Sequence, residues 1–353
     1  MNRESLRFAR TYQECRAQFQ EAVITSRTCS GSSSLPTDDS LIMDWALVGR
    51  VDATKLLVLT SGTHGPELPA GSYCQSQMLR EGRFTNLPED CAVLLVHAVN
   101  PWGAFYCRRN NEDNVDLCRN HLAFDNPLPT NQLYANLADA IAHCSHDNVE
   151  QFLLETVEKL GKPAFLASLM AGQYHYPEGF SYGGSKLAWS NSTLLDLLRH
   201  HTQRARQTVI IDFHTGVGPY GYGSAVCMQV GDELATAEAV FGNWVIAPCA
   251  PGNEATYYQV TGHSTEGYTR SVNAAHLINI VLEFGTYDSD TMLKVLLQQL
   301  AAKPTRAVAS QFEASEWDTK VAEFFSPRDA DWERSVWQHA NLVIDQALRY
   351  LAI

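Results

Sequence analysis

The stretch Lys55-Leu-Leu-Val-Leu-Thr-Ser-Gly-Thr-His64-Gly-Pro-Glu67-Leu68 joins a run of apolar residues to a glycine-rich turn. The run ends at glycine and has the length of a buried strand. In open α/β sheets, ligands and metals bind just beyond the carboxyl ends of such strands. His64 and Glu67 lie there, and an imidazole nitrogen and a carboxylate are both ligands for a divalent cation. Because a lone His-x-x-Glu pair is more often an ordinary turn, the rest of the chain has to supply a third ligand and a base.

The residues on either side of this stretch predict the fold. Leu68 to Arg80 is predicted to be a helix, and Cys91 to Val99 a second buried strand closed by Asn100-Pro101. A strand, a helix and a strand of these lengths form a βαβ unit, which predicts a parallel sheet covered by helices on both faces. Further strands are predicted at 41–48, 208–214, 225–230 and 277–284, helices at 1–30, 131–161, 192–206, 291–301 and 332–351, and loops at 28–40, 102–125 and 171–191. We expect residues 1–353 to form one α/β domain, with the helical segments 1–30 and 332–351 packed on it.

Composition excludes several classes of partner. The chain of 353 residues is 45% hydrophobic and 18% charged, which describes a filled globular core, and its formal net charge of −13 argues against nucleic acid or anionic membrane as a partner. No stretch approaches the roughly 20 apolar residues of a membrane span, and the amino terminus lacks the apolar region of a secretory signal. The nine cysteines are odd in number and include no C-x-x-C pair, which favours free thiols in a reducing compartment. We therefore expect a cytoplasmic protein.

Two more predicted strands end in chemically capable residues. His214 follows Ile211-Asp212-Phe213, where the strand hydrophobics stop, and two histidines with one carboxylate form the ligand set of many catalytic zinc sites. Asp212 shares a strand face with His214, so it is able either to orient the imidazole or simply to pack. Glu283 interrupts the apolar strand Ile280 to Phe284, where a carboxylate is costly to bury unless it is paired or catalytic. A salt bridge to an arginine is the alternative to a general base at Glu283.

The predicted loop from Arg108 to Asn120 concentrates arginines in an acidic protein. A guanidinium group binds a planar carboxylate through two parallel hydrogen bonds, and it also stabilises a developing oxyanion. As a charge run alone, the segment would be a solvated loop. Beside a metal site, it predicts a substrate clamp.

The ordered segments His64-Gly-Pro-Glu67, Asn100-Pro-Trp-Gly103, Asp116-Leu-Cys-Arg-Asn120, Asp212-Phe-His214 and Leu282-Glu-Phe-Gly285 resemble the M14-type zinc carboxypeptidase superfamily. Over nearly the whole chain the resemblance is to its DUF2817 branch, which also fits Gly172-Gln-Tyr174, Gly183-Gly184 and Trp189-Ser-Asn191. The superfamily, which includes the aspartoacylases, implies a mixed, largely parallel twisted sheet.

The resemblance also implies roles for individual residues. One zinc ion per chain would be held by His64, Glu67 and His214, with Glu283 activating water for attack on an amide. Arg109, favoured over Arg108, would stabilise the oxyanion. Arg119 would bind the free carboxylate of the substrate, and Arg108 and Asn120 are further substrate-binding candidates.

In one respect the chain departs from the family pattern. The family usually has asparagine before the second arginine, whereas this chain has Cys118, which puts C-terminal carboxylate recognition in doubt. The family's catalytic tyrosine has four candidates, which are Tyr257, Tyr258, Tyr268 and Tyr287.

Three functions follow from these observations. The first is a zinc-dependent metallopeptidase of carboxypeptidase type acting on a small peptide. The second is an N-acyl amino acid deacylase of aspartoacylase type. The third is a non-catalytic metal-binding module, which the joint presence of His64, Glu67, His214 and Glu283 argues against.

Overall fold

The computed structural model describes residues 7–242, 244–253, 259–302 and 313–353. Within these residues, eight strands form one mixed sheet. The strands are β1 (Cys29–Pro36), β2 (Ile42–Gly49), β3 (Lys55–Ser61), β4 (Cys91–His97), β5 (Gln207–Gly216), β6 (Gly223–Val226), β7 (Val245–Ile246) and β8 (His276–Gly285). The helices are α1 (Tyr12–Thr25), α2 (Leu68–Arg80), α3 (Pro101–Tyr106), α4 (Gln132–Ala135), α5 (Ala138–Ala142), α6 (Val149–Leu160), α7 (Lys162–Met170), α8 (Trp189–His201), α9 (Gly231–Phe241), α10 (Ser264–Ser271), α11 (Ser289–Ala301), α12 (Glu316–Phe325) and α13 (Ala330–Leu351).

The centre of the sheet is parallel and its flanks are antiparallel. The strand order is β1-β2-β4-β3-β5-β8-β6-β7, and β4, β3, β5 and β8 run parallel to one another. β2 is antiparallel to both β1 and β4, and β6 is antiparallel to β8. The predicted mixed, largely parallel sheet is confirmed. Because parallel strands end at the same edge, this order brings the ends of β3, β5 and β8 together.

Alternate residues of the central strands face two separate cores. Leu57 and Leu59 of β3 belong to one core with α1, α2, α9 and α13, whereas Leu56 and Val58 belong to the other with α8 and α10. The side-chain period of two in a strand produces this division, and both faces are therefore covered by helices. The long helix α13 packs against β3, β6, α2 and α9.

Residues 28–40 were predicted to form a loop, and the structure corrects this prediction. Cys29–Pro36 is strand β1, which pairs with β2 along its length at the edge of the sheet. Its side chains are mostly exposed and rich in serine, so no hydrophobic alternation marks it in the sequence. Backbone pairing with β2, rather than side-chain burial, orders this strand.

The helical prediction for 1–30 is likewise too long over residues 7–30, because α1 begins at Tyr12 and ends at Thr25, and residues 1–6 lie outside the described part of the chain. The segment 131–161 contains three helices rather than one or two. Helices α3, α7, α9, α10 and α12 were missed, and α3 overlaps the start of the predicted loop 102–125. In the described part of the chain, no helix combines the length and the apolar character needed to cross a membrane. All nine cysteines fall within the described residues and are free thiols.

Candidate active site

The candidate site lies where β3, β5 and β8 end. His64 and Glu67 occupy the turn after β3, and the parallel register of β5 and β8 places His214 directly beside Glu283. Gly65 allows this turn to form, since a Cβ there would lie 1.9 Å from the carbonyl carbon of Gly103. The His64-Gly-Pro-Glu67 and Asn100-Pro-Trp-Gly103 segments are therefore packed backbone against backbone.

One carboxylate contacts both histidines. Oε1 of Glu67 is 2.8 Å from Nδ1 of His64, and Oε2 is 3.0 Å from Nδ1 of His214. The backbone amide of Thr215 donates a hydrogen bond to the same Oε2 at 3.0 Å and helps to fix the carboxylate. The side chains of all three predicted ligands are buried. The structure thus brings His64, Glu67 and His214 together, as the sequence predicted.

The second ring nitrogen of each histidine contacts an aspartate. Nε2 of His64 lies 3.1 Å from Oδ1 of Asp116, and Nε2 of His214 lies 2.8 Å from Oδ2 of Asp212. Such a contact fixes the ring orientation and the tautomer, so that Nδ1 is presented to a ligand. Of the two readings left open for Asp212, this contact favours the orienting one. The matching contact of Asp116 was missed, although Asp116 lies in the Arg108–Asn120 loop that the sequence had singled out.

Burial and neighbouring charges shift the pKa values of both histidines and of Glu67. Burial and Arg109 oppose protonation of His64, but Glu67, Cys118 and Asp116 outweigh them and raise its pKa to about 10. Burial opposes protonation of His214 as well. The charges of Asp212, Cys118 and Glu67 favour protonation and outweigh burial, so the pKa of His214 is also raised. Burial would raise the pKa of Glu67, yet the two histidines lower it well below its usual value.

The residues present fit a divalent cation such as zinc. At zinc–ligand distances of 2.0–2.2 Å, tetrahedral geometry separates neighbouring ligand atoms by about 3.4 Å. The observed separations of 2.8 and 3.0 Å are shorter than this by about 0.6 and 0.4 Å, so the ligand atoms would move apart slightly to admit the ion. A second grouping shares the histidines, because one ring nitrogen of each and Sγ of Cys118 all lie within 4.8 Å of one another. Glu67 is the carboxylate that contacts both Nδ1 atoms.

Glu283 faces the same region from β8. Its Oε1 accepts a hydrogen bond of 3.0 Å from the backbone amide of Val217, which holds the carboxylate at the rim. Burial and the neighbouring charge of Glu67 raise the pKa of Glu283 to about 7. A carboxylate with that pKa accepts a proton near neutral pH and then releases it readily. Among the described residues, no ion pair joins Glu283 to an arginine, so the alternative role of Glu283 in a salt bridge is not seen in this part of the chain.

A cavity of about 270 Å³ connects these groups. It is lined by His64, Glu67, His214, Glu283, Arg109, Arg119, Cys118 and His263, together with apolar residues that include Met170, Val226, Met228, Ile246 and Val281. Arg109 forms an ion pair with Asp116 at the cavity wall. Arg108 lines a neighbouring cavity instead, where it bonds the carbonyl of Gln299 at 2.9 Å and pairs with Asp318 at 3.2 Å. The structure therefore brings Arg109, and not Arg108, to the site.

Arg119 lines the cavity although much of its guanidinium group is engaged. Nε and Nη2 donate to the carbonyl of Met170 at 2.9 and 2.7 Å, and Nη1 donates to the carbonyl of Cys118 at 3.0 Å. A guanidinium group carries five N–H donors, so these three bonds within the described residues leave two for a ligand.

Asn120 lies outside this cavity, contrary to its prediction as a substrate-binding residue. Its Nδ2 donates to the carbonyls of Gly183 and Lys186, and its Oδ1 accepts from Ala188 and Asn191. Both ends of the amide thus brace the surrounding loops, through partners more than 60 residues away that the sequence did not reveal.

Neither of the two described tyrosine candidates, Tyr268 and Tyr287, lines the cavity. Tyr257 and Tyr258 lie outside the described residues. Tyr268 is buried with its ring against His121, and Tyr287 is half exposed beside Tyr220 and Phe324. His263, which does line the cavity, had no motif to mark it in the sequence.

Comparisons with known proteins agree with this architecture. A family model described as "Protein of unknown function (DUF2817)" matches residues 8–339. The carboxypeptidase A of Helicoverpa armigera has a similar fold, with a TM-score of 0.57 and 12% identity over 98% of this chain and 74% of that one. Thrombin activatable fibrinolysis inhibitor gives a TM-score of 0.56 at 11% identity over 100% of this chain and 76% of that one. No curated protein sequence matches the chain significantly. At such identities, the similarity to solved structures establishes the fold alone.

Proposed function

Since the chain belongs to the DUF2817 family and has the fold of the metallocarboxypeptidases, we propose that it is a zinc-dependent hydrolase of amide bonds. The observation that carries this proposal is convergence. One cavity is lined by side chains that come from distant segments of the chain, namely His64, Glu67, Arg109, Arg119, His214 and Glu283. Two histidines and one carboxylate beside a separate carboxylate are what metal-assisted hydrolysis requires.

Zinc bound by His64, Glu67 and His214 would lower the pKa of a water molecule and polarise the amide carbonyl. Glu283 takes the proton from the attacking water and then delivers it to the leaving nitrogen. Its raised pKa suits both steps near neutral pH. Arg109 donates to the carbonyl oxygen as negative charge develops there, and its ion pair with Asp116 holds it in position for that purpose.

Arg119 is the group that we assign to the free carboxylate of the substrate. Its two remaining N–H donors face a carboxylate that belongs to the residue on the leaving side of the amide. The substrate class is therefore a small peptide with a free carboxyl terminus. An N-acyl amino acid also presents an amide beside a carboxylate, so a substrate panel has to include both types of compound.

The experiment that tests the proposal separates metal binding from turnover. Glu283→Gln should retain about one zinc per chain and lose roughly 10²- to 10⁴-fold in kcat, the usual contribution of a general base. Glu333→Gln is the matched control, because Glu333 is a buried carboxylate that pairs with Arg10 away from the cavity. His64→Ala should lose the metal itself.

Activity is measured on C-terminal dipeptides and on N-acyl amino acids, with and without a chelator. Full turnover by Glu283→Gln would refute the general-base role. Metal analysis that finds no bound zinc in the wild type after supplementation would refute the metal centre.

A further inference from the structure

Cys118 occupies the position at which the chain departs from the pattern of the zinc carboxypeptidases. The thiol lies beside the two histidines, with Sγ 4.0 Å from Nε2 of His214. One ligand atom from each of His64, Cys118 and His214 falls within 4.8 Å of the other two, and all three side chains are buried. The sulfur also lines the cavity that holds Glu283. Cys118 therefore belongs to a cluster of metal-binding groups and is not an isolated cysteine.

The backbone around Cys118 is fixed by the same carboxylate that orients His64. Oδ1 of Asp116 accepts a hydrogen bond of 3.0 Å from the backbone amide of Cys118, and it also lies 3.1 Å from Nε2 of His64. On the other side of Cys118, the hydroxyl of Tyr174 donates to the carbonyl of Arg119 at 2.6 Å. Asp116 thus holds a histidine and the cysteine in one frame, which reduces the entropy lost when both bind one ion.

Neutral contacts alone account poorly for a thiol at this position. A thiol is a weak hydrogen-bond donor, and 4.0 Å is at the outer limit for a contact that involves sulfur. A thiolate, by contrast, is among the strongest ligands for zinc, and mixed histidine and cysteine sites are common. Zinc–sulfur and zinc–nitrogen distances of 2.3 and 2.0–2.1 Å require a sulfur–nitrogen separation of about 3.6 Å, and one ring nitrogen of each histidine lies within 4.8 Å of Sγ.

We propose that Sγ of Cys118 is a ligand of the metal centre, in addition to His64, Glu67 and His214. The inference rests on the proposed metal centre, but not on the proposed hydrolysis. On binding, the thiol releases its proton to solvent as the metal–sulfur bond forms, and no oxidant or reductant takes part. Zinc sometimes expands to five ligands in catalytic sites, so a coordinated thiolate would leave one position for water or for a substrate oxygen.

Cobalt(II) added to the metal-free protein gives a spectroscopic test that does not depend on activity. The wild type should show visible cobalt bands together with an intense near-ultraviolet band from charge transfer between thiolate and cobalt. Cys118→Ser should keep the visible bands and lose the near-ultraviolet band, with metal affinity reduced by more than about 10-fold. Cys74→Ser is the matched control, because Cys74 is equally buried but belongs to the hydrophobic core around α2.

Each outcome separates the two proposals. Cobalt bound by the wild type without the near-ultraviolet band overturns the role of Cys118 and leaves the histidine–glutamate centre intact. Persistence of the band in Cys118→Ser, or its loss in Cys74→Ser, also overturns that role. No cobalt binding at all overturns both proposals. The band without amide hydrolysis supports Cys118 and refutes the hydrolase. Circular dichroism and a second variant, Cys118→Asn, distinguish ligand loss from misfolding.

Discussion

The contact between Asp212 and His214 gives the sharpest prediction for the metal centre. Oδ2 of Asp212 lies 2.8 Å from Nε2 of His214, and Oδ1 accepts hydrogen bonds from Thr60 at 2.7 Å and Thr63 at 3.0 Å. The Asp212 side chain is completely buried. In Asp212→Asn the two threonines are able to hold an amide of the same shape, so the ring stays in place while the negative charge behind it disappears.

The expected loss follows from that charge. Hydrogen bonds to an ionised group are roughly twice as strong as neutral ones, and removing such a partner typically costs 10- to 100-fold in metal affinity. The variant should therefore bind zinc more weakly by about 1.4–2.7 kcal/mol. Competition against a chromophoric chelator at fixed pH measures the difference directly.

The control is the same substitution at another buried aspartate. Asp44 on β2 pairs with Arg16 of α1, and none of its hydrogen bonds or ion pairs within the described residues involves His64 or His214. Asp44→Asn should lower the stability of the fold and leave zinc affinity unchanged. An Asp212→Asn protein that binds zinc within twofold of the wild type would refute the reasoning. Equal losses in the two variants would do the same.

Three further predictions concern the cavity, the turn and the core. Arg109→Gln should lower kcat/KM by roughly 10²- to 10³-fold, whereas Arg108→Gln, which lines the other cavity, should change it only a few-fold; equal losses would contradict the assignment. Gly65→Ala, whose Cβ would meet backbone at 1.9 Å, should cost roughly 3 kcal/mol in urea unfolding, whereas Gly31→Ala, with 3.5 Å to its nearest neighbour, should cost under about 1. Burial lowers the pKa of His97 to about 4, so the unfolded chain binds more protons than the folded chain between pH 4 and 6.5, and stability therefore falls as the pH is lowered through this window. Between pH 6.5 and 4.5 the wild type should lose roughly 2–3 kcal/mol more than His97→Gln, and identical slopes would refute this.

Local patterns were sufficient for the centre of the sheet and for three proposed ligands. The strand before His64 and the helix Leu68–Arg80 follow from hydrophobic runs and glycine, and both lie where they were predicted. His214 and Glu283 end neighbouring strands, so their proximity follows from the rule that parallel strands end at the same edge. The expectation that residues 1–353 form one domain stays a prediction.

Only the tertiary structure decided which polar groups reach the cavity. Arg108 and Arg109 are adjacent and chemically identical. Which of them reaches the cavity depends on their ion pairs, because Asp318 pairs with Arg108 and Asp116 pairs with Arg109. Similarly, β1 is ordered by pairing with β2 and has no hydrophobic signature of its own.

The sequence by itself determined that a histidine and a glutamate end a buried strand and that a second histidine ends another. It also placed a cysteine, Cys118, where the family pattern that the sequence resembles usually has asparagine. Only the fold brought that cysteine within 4.8 Å of ligand atoms on both histidines. The physical reason is the distance along the chain over which each kind of interaction acts. Hydrophobic periodicity and turn chemistry act over a few residues, whereas the direction of a loop side chain depends on partners that are distant in the chain.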